Sequence, residues 1–210
     1  MIDRIRWIGY GSFVIQGSPL IYINPWRVVL SAFLADVILV GHDHYEHFSQ
    51  ADIEKLRGPD TLILTNAKVA DQIEGAQILQ TWHSQTVDRA RFTAVPAYSP
   101  EDPRHAADEG GLGFIISLDY YDIYYAGDTQ IIPEMDRIHP DIAILPIDGN
   151  GTLTVDDAVS LVKQMRPRYV IPSNWGGVSG ISATQQDVER FKDAISGRAE
   201  LVLPKKSGDA

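Results

Sequence analysis

The chain has 210 residues, with 18 Lys plus Arg against 28 Asp plus Glu, for a formal net charge of −10. That length allows one well-buried core, and 44% hydrophobic with 22% charged residues excludes long disorder. The charge argues against a general nucleic-acid binder, which neutralises phosphates with clustered Lys and Arg. The cysteine count of 0 removes disulfides, thiol nucleophiles and thiolate zinc sites together.

The N-terminus, Met1 to Trp7, has no apolar run followed by a small-residue cleavage site, so no signal peptide is predicted and a cytoplasmic location is the default. Short apolar runs at 5–8, 13–15 and 20–23, punctuated by Gly9-Tyr-Gly11 and Gly17-Ser-Pro19, predict hairpin strands. The most apolar stretch, 28–40, is broken by Ser31 and Asp36 and is too short to span a bilayer. It ends in the continuous run Val37-Ile-Leu-Val40, the mark of a strand buried on both faces. Ser49 caps a predicted helix running to Leu56, 61–64 reads as a strand, and Asn66 caps a second helix ending near Gly75. The stretch 80–86 reads as a turn.

Further strands are predicted at 92–95, 114–118, 123–125, 142–145, 169–171 and 201–203. Thr154 caps an amphipathic helix, Val155 to Met165, closed by Pro167. Ser182 or Thr184 starts a last helix that stops at Gly197, and the polar tail 204–210 is expected to fray. The longest irregular stretch, 99–111, has the length of a functional loop. There is no internal repeat and no linker, so the order of elements suggests one layered α/β domain.

Three of the 6 histidines fall in Gly41-His-Asp-His-Tyr-Glu-His47. The segment follows a buried strand and precedes a capped helix. His42 and His44, two apart, share a side in extended geometry. Glu46 and His47 fall at the turn into the helix, where they can face a second point. Imidazole with carboxylate suits zinc, manganese or iron. The plainer alternative is a solvated, histidine-rich loop.

Gly41 to His47 resembles the H-x-H-x-D-H signature of the metallo-β-lactamase fold, written here H-x-H-x-E-H. Later segments agree in order: Ala126-Gly-Asp-Thr129, then Ile142-Ala-Ile-Leu-Pro-Ile147 with Gly149-Asn-Gly151, then Ile171-Pro-Ser-Asn-Trp-Gly176. Ile21-Tyr-Ile-Asn-Pro-Trp26 resembles the strand before the histidine motif. Ala94-Val-Pro-Ala-Tyr98 and Gly127-Asp-Thr-Gln-Ile-Ile-Pro-Glu134 are most similar to the small UlaG-like group, which includes L-ascorbate-6-phosphate lactonase. The resemblance implies a four-layer αββα sandwich filling 1–210 as a single domain. It also implies a metal-dependent hydrolase with one or two divalent ions, zinc or manganese, in which metal-bound hydroxide attacks a lactone, ester or phosphodiester. Asp128 would bridge the ions, with Glu46 and Asp128 as catalytic carboxylates. A first ion would take His42, His44 and His105, and a second Glu46 and His47.

The chain departs from the family pattern. Glu46 replaces the usual Asp, and Asn174 stands where a last histidine is expected, leaving the second ion short of nitrogen. Only His83 and His105 lie between the two main motifs. His83 is expected to be solvated, His105 is the candidate ligand, and His139 reads as a helix-end residue. Tyr98, Asn174 and Trp175 are candidate substrate-binding residues, with packing the alternative for the two aromatics. Arg104 is a candidate phosphate contact or a solvated loop residue, and Asn150 lies near the same loops. The implied partner is a small-molecule substrate, without membrane or nucleic acid, and a homo-oligomer stays open. Glu46 and Asn174 also motivate a second reading, a metal-poor fold relative serving as a binding or structural protein.

Overall fold

The computed structural model describes residues 1–29, 33–177 and 180–206. Among these, strands form two sheets. The first holds β1 (Ile5–Gly9), β2 (Ser12–Ile15), β3 (Ile21–Ile23), β4 (Val37–Val40), β5 (Leu62–Thr65) and β6 (Gln77–Ile78), in that spatial order. The second holds β7 (Ser84–Val87), β8 (Ala90–Pro96), β9 (Leu112–Leu118), β10 (Tyr121–Tyr125), β11 (Ile142–Pro146), β12 (Tyr169–Ser173) and β13 (Glu200–Leu201), also in sequence order. Each sheet begins as an antiparallel meander and ends in parallel strands.

Parallel neighbours need crossovers, and helices supply several of them. Helix α1 (Gln50–Leu56) joins β4 to β5, and α2 (Ala67–Ala70) joins β5 to β6. Helix α3 (Val155–Met165) joins β11 to β12, and α4 (Gln185–Ala194) joins β12 to β13.

The period-2 alternation of side chains assigns each strand residue to a layer. Phe13, Ile21, Ile23, Val37 and Leu39 face Phe92, Phe114, Ile116, Ile123, Ile142 and Ile144 across the space between the sheets. Val14, Tyr22, Ile38 and Val40 face outward onto Ile53 and Leu56 of α1 and Val69 of α2. Tyr124, Ala143, Leu145 and Val170 face outward onto Val159 and Val162 of α3 and Val188 and Phe191 of α4. Strands apolar on both faces are therefore sandwiched on both sides, which makes the four αββα layers.

Several elements depart from the sequence reading or settle an alternative it left open. Helix α2 is one turn: Asn66 Oδ1 accepts from Val69 N at 3.0 Å as expected, but the chain leaves the helix at Ala70. Strand β7 occupies part of the predicted turn; it is a polar, exposed edge strand with no core face to betray it. At α4 the cap is Thr184, because Asp187 reciprocates its hydrogen bond in a capping box. The described part of the tail is not frayed: Trp7 N donates to Lys205 O at 3.0 Å and Trp7 pairs with Lys206. The rest of the tail, 207–210, and Ser31 lie outside the described residues.

No helix among the described residues is long and apolar enough to cross a membrane.

Phe114 is fully buried between the sheets, whereas Val29 is 84% exposed. Phe114→Ala is expected to cost about 3–5 kcal/mol, and Val29→Ala less than about 0.5 kcal/mol; urea unfolding measures both.

Candidate metal centre

The parallel strands β3, β4, β10 and β12 all end on one side of the sandwich, and short loops there carry the polar cluster. Gly41 follows β4, and its O accepts from Leu112 N of β9 at 3.0 Å. A Cβ on Gly41 would stand 2.5 Å from Leu112 O, so only glycine lets the two sheets close at this seam. The next loop is tied by two bonds to His44 O, from His47 N and Phe48 N, both 2.9 Å. Ser49 then caps α1. Asp128 lies just beyond β10, and Asn174 just beyond β12. His105 ends a 3-10 turn, Pro103–His105, whose carbonyl accepts from Ser99 N at 2.7 Å.

Ligand-type atoms of His42, His44, His105 and Asp128 all lie within 4.8 Å of one another, and so do those of Glu46, His47 and Asp128. Asp128 Oδ2 is 3.5 Å from His42 Nε2, 3.5 Å from His105 Nε2 and 3.2 Å from His47 Nε2. The His42, His47, His105 and Asp128 side chains are buried, and His44 is half-buried.

The first group fits a divalent ion. Four-coordinate zinc with bonds of about 2.1 Å needs donors about 3.4 Å apart, which matches the separation of Asp128 Oδ2 from two of the imidazoles. His42 Nε2 and both ring nitrogens of His105 are buried without a hydrogen-bond partner among the described residues. Such orphaned atoms are costly unless something unshown satisfies them. Burial, then the neighbouring His47, holds His42 well below the usual histidine range. Burial, then His105, lowers His44. Both rings thus keep a lone pair.

In the second group His47 Nε2, Glu46 Oε2 and the neighbouring Asn174 Oδ1 are likewise buried without a hydrogen-bond partner among the described residues. Burial pushes His47 down, but the Asp128 carboxylate and its other acidic neighbours outweigh it and raise it overall. Burial pushes Asp128 up, yet His47 and the other imidazoles hold it well below the usual carboxylate range. Asn174 donates from Nδ2 to Asp128 Oδ1 at 2.9 Å. Its φ of 59° is left-handed, a region Asn tolerates. A Cβ on Gly11 would collide with His47 Cε1, so glycine there makes room for the ring.

The structure brings together six of the expected residues, His42, His44, Glu46, His47, His105 and Asp128, with Asn174 beside them. It does not bring in the two aromatics. The Tyr98 hydroxyl donates to Glu134 Oε2 at 3.1 Å and its ring packs under the outer helices. Trp175 stacks on Trp7, centroids 4.6 Å apart and planes within 6°. Packing accounts for both. His83 and His139 are exposed and stand outside the cluster. Arg104 lines the pocket over His42, His44, His105 and Asp128, paired with Asp102 and reaching Asn150 Oδ1 at 3.2 Å.

Three participants were not singled out in the sequence. Asn24 is fully buried, with Nδ2 3.0 Å from His47 Nδ1. Tyr10 tilts against the His47 ring at 5.4 Å and donates to Asp148 Oδ2 at 3.2 Å. Asp148 also accepts from Thr152 Oγ1. A polar residue directly after an apolar run is the cue that flags Asn24 and Asp148.

The family description "Beta-lactamase superfamily domain" matches residues 4–174. The chain belongs to the beta-lactamase superfamily. A UPF0173 metal-dependent hydrolase from Pyrococcus abyssi is 30% identical, covering 96% of each chain. Another from Thermococcus kodakarensis is 31% identical, covering 95% of each. Among solved structures, a candidate metal-dependent hydrolase from Parabacteroides distasonis shares 25% identity at a TM-score of 0.85, covering 97% of this chain and 93% of that one. Igni18, a metallo hydrolase from Ignicoccus hospitalis, shares 23% at 0.78, covering 97% and 95%, and supports the fold alone.

In this superfamily member, burial and then the Asp128 charge push Asp148 up to about 7. The folded state then holds a proton on Asp148 that the unfolded chain releases near pH 4, so this group's contribution falls as pH rises from about 4 to about 7. Asp148→Asn mimics the protonated form. Its stability relative to the native chain is expected to rise across that window and stay about 1–3 kcal/mol higher above it, measured by urea unfolding of metal-free protein at pH 4.5 and 8.

Proposed function

We propose that the chain is a metal-dependent hydrolase whose working ion is held by His42, His44, His105 and Asp128. One observation carries this reading: buried imidazole nitrogens without hydrogen-bond partners converge on a carboxylate at the ends of β4 and β10. Three imidazoles with one carboxylate suit zinc or manganese. When bound, such an ion supplies Lewis acidity and lowers the pKa of water toward neutrality.

The chain's own residues supply position, a base and charge. Asn174 Nδ2 holds Asp128 from behind, so the carboxylate keeps one orientation toward the imidazoles. Glu46 Oε2 is buried and has no hydrogen-bond partner among the described residues. It lies within 4.8 Å of Asp128 and His47 ligand atoms, which suits it to accept a proton from the attacking water. Arg104, on the pocket wall, can steady negative charge that develops on the leaving side of the substrate. Asp102 and Asn150 fix its guanidinium, so little entropy is lost when it does so. Small lactones, esters and phosphodiesters are the substrates such a site suits, because each needs an activated water and a stabilised oxyanion.

His44→Ala and His105→Ala are expected to weaken metal affinity at least about tenfold and to lower turnover with it. Elemental analysis after dialysis, and a panel of lactones, esters and phosphodiesters with added zinc or manganese, measure both. Turnover that survives both substitutions unchanged would refute the site.

A further inference from the structure

We infer that the pocket over the centre selects against anionic substrates, so that the substrate is an ester or lactone whose flanking group is uncharged or positively charged, and not a phosphodiester. The inference rests on the proposed metal-dependent reading and narrows its substrate class.

Beyond the proposed ligands, the described pocket wall carries the charged side chains of Asp43, Arg104 and Glu109 between the neutral Ala97, Ala106 and Gly111. Arg104 is the cation of that wall, and its charge is already compensated. Its Nε donates to Asp102 Oδ1 at 3.0 Å and its Nη2 to Asp102 Oδ2. Nη2 also donates to Asn150 Oδ1 at 3.2 Å. A Cβ on Gly151 would stand 2.3 Å from Asp102 Oδ2, so glycine at 151 keeps room for the pair. A guanidinium that captures a phosphate or carboxylate keeps its fork of N–H groups open for the ligand. Here the fork closes on a carboxylate of the chain itself, and the pair has no net charge. Its remaining N–H groups can still donate to a neutral carbonyl or to an oxyanion as it develops.

The acidic groups are less well matched. Asp43 is exposed and has no ion pair among the described residues. Glu109 pairs with Lys68. Asp43, Asp108 and Glu109 all act on that one ammonium. The mouth of the pocket therefore carries more negative than positive charge. The carboxylates of Asp128 and Glu46 formally match the charge of the proposed ion, so the excess on the wall sets the sign that an approaching substrate meets. The chain as a whole, at −10, adds to it. A phosphodiester or a substrate carboxylate brings a like charge to this mouth, a neutral ester brings none, and a cationic one is drawn in.

Three 4-nitrophenyl esters of matched length read the sign: those of pentanoic acid, glutaric acid and 4-(trimethylammonio)butanoic acid, which are neutral, anionic and cationic. With zinc-loaded protein at low salt, kcat/KM relative to alkaline hydrolysis is expected to be at least about tenfold lower for the anionic ester than for the neutral one. Raising KCl from about 20 to about 300 mM shortens the screening length. The anionic ester is then expected to speed up, the cationic ester to slow and the neutral ester to hold. An anionic ester that slows with salt would overturn this inference alone. So would turnover of bis(4-nitrophenyl) phosphate with none of the three esters. No turnover of any of the four would overturn the metal-dependent reading, and this inference with it.

Calorimetry of inorganic phosphate against the zinc-loaded protein reads the same sign without turnover. Asp102→Asn keeps an oxygen for Arg104 N but leaves the guanidinium uncompensated, and Glu109→Gln alters an exposed side chain. Each is expected to tighten phosphate binding at least about fivefold. Phosphate affinity unchanged in both variants would overturn the inference.

Discussion

A buried carboxylate organises this end of the molecule. Asp128 is only 5% exposed and sits among the imidazoles of His42, His47 and His105. An isolated charge in that position would neutralise itself or destabilise the fold. The imidazoles, His47 first, hold it well below the usual carboxylate range and the Asn174 amide donates to its Oδ1, and the packing that brings these groups there is the packing of the whole sandwich. The imidazoles come from β4 of one sheet and from the loop between β8 and β9 of the other. Asp128 follows β10 and Asn174 follows β12. Any loosening between the sheets would pull the donors from the carboxylate, so the apolar layer containing Phe13, Phe92 and Phe114 also sets the electrostatics of the site.

The layering places the chemistry where the apolar surface ends. Parallel strands point their C-terminal ends the same way, and in open α/β sheets ligands gather there. Here two such sheets face each other, so two sets of strand ends meet. Gly41 meets Leu112 closely at that junction, and its backbone hydrogen bond joins the sheets directly. Asn24 uses the same seam: its side chain ties the N–H of Gly41, the hydroxyl of Tyr125 and the ring of His47 together.

Much of the architecture was legible in the chain because the central strands are continuous apolar runs and the long helices carry explicit caps. Thr154 and its Asp157 partner are visible as a pair three residues apart, and the structure uses them as such. What escaped has a physical reason in each case. Strand β7 is polar because it is an exposed edge, so no hydrophobic period marks it. Helix α2 ends early because its cap fixes where it starts and nothing in the sequence fixes where it stops. At the site, His42, His44, Glu46 and His47 are adjacent in sequence and announce themselves. His105 and Asp128 are isolated residues that gained meaning from the family resemblance. Asn24 and Tyr10 were silent because their partners lie 23 and 138 residues away, and a lone Asn or Tyr looks the same whether it wires a site or covers a surface.

Charge balance constrains what a site of this kind can hold. In a buried site of low effective dielectric, uncompensated charge of either sign is costly. One divalent ion beside the carboxylates of Asp128 and Glu46 would leave their summed formal charge at zero. A second divalent ion would leave the same ligands with excess positive charge, unless water or substrate brought compensating anions. The Asn174 amide steadies Asp128 without adding net charge. Glu46 Oε2 is free of any hydrogen bond among the described residues. The departures from the family pattern at positions 46 and 174 keep this polar cluster rich in oxygen: a carboxylate with one more methylene stands at 46, and an amide that steadies Asp128 stands at 174.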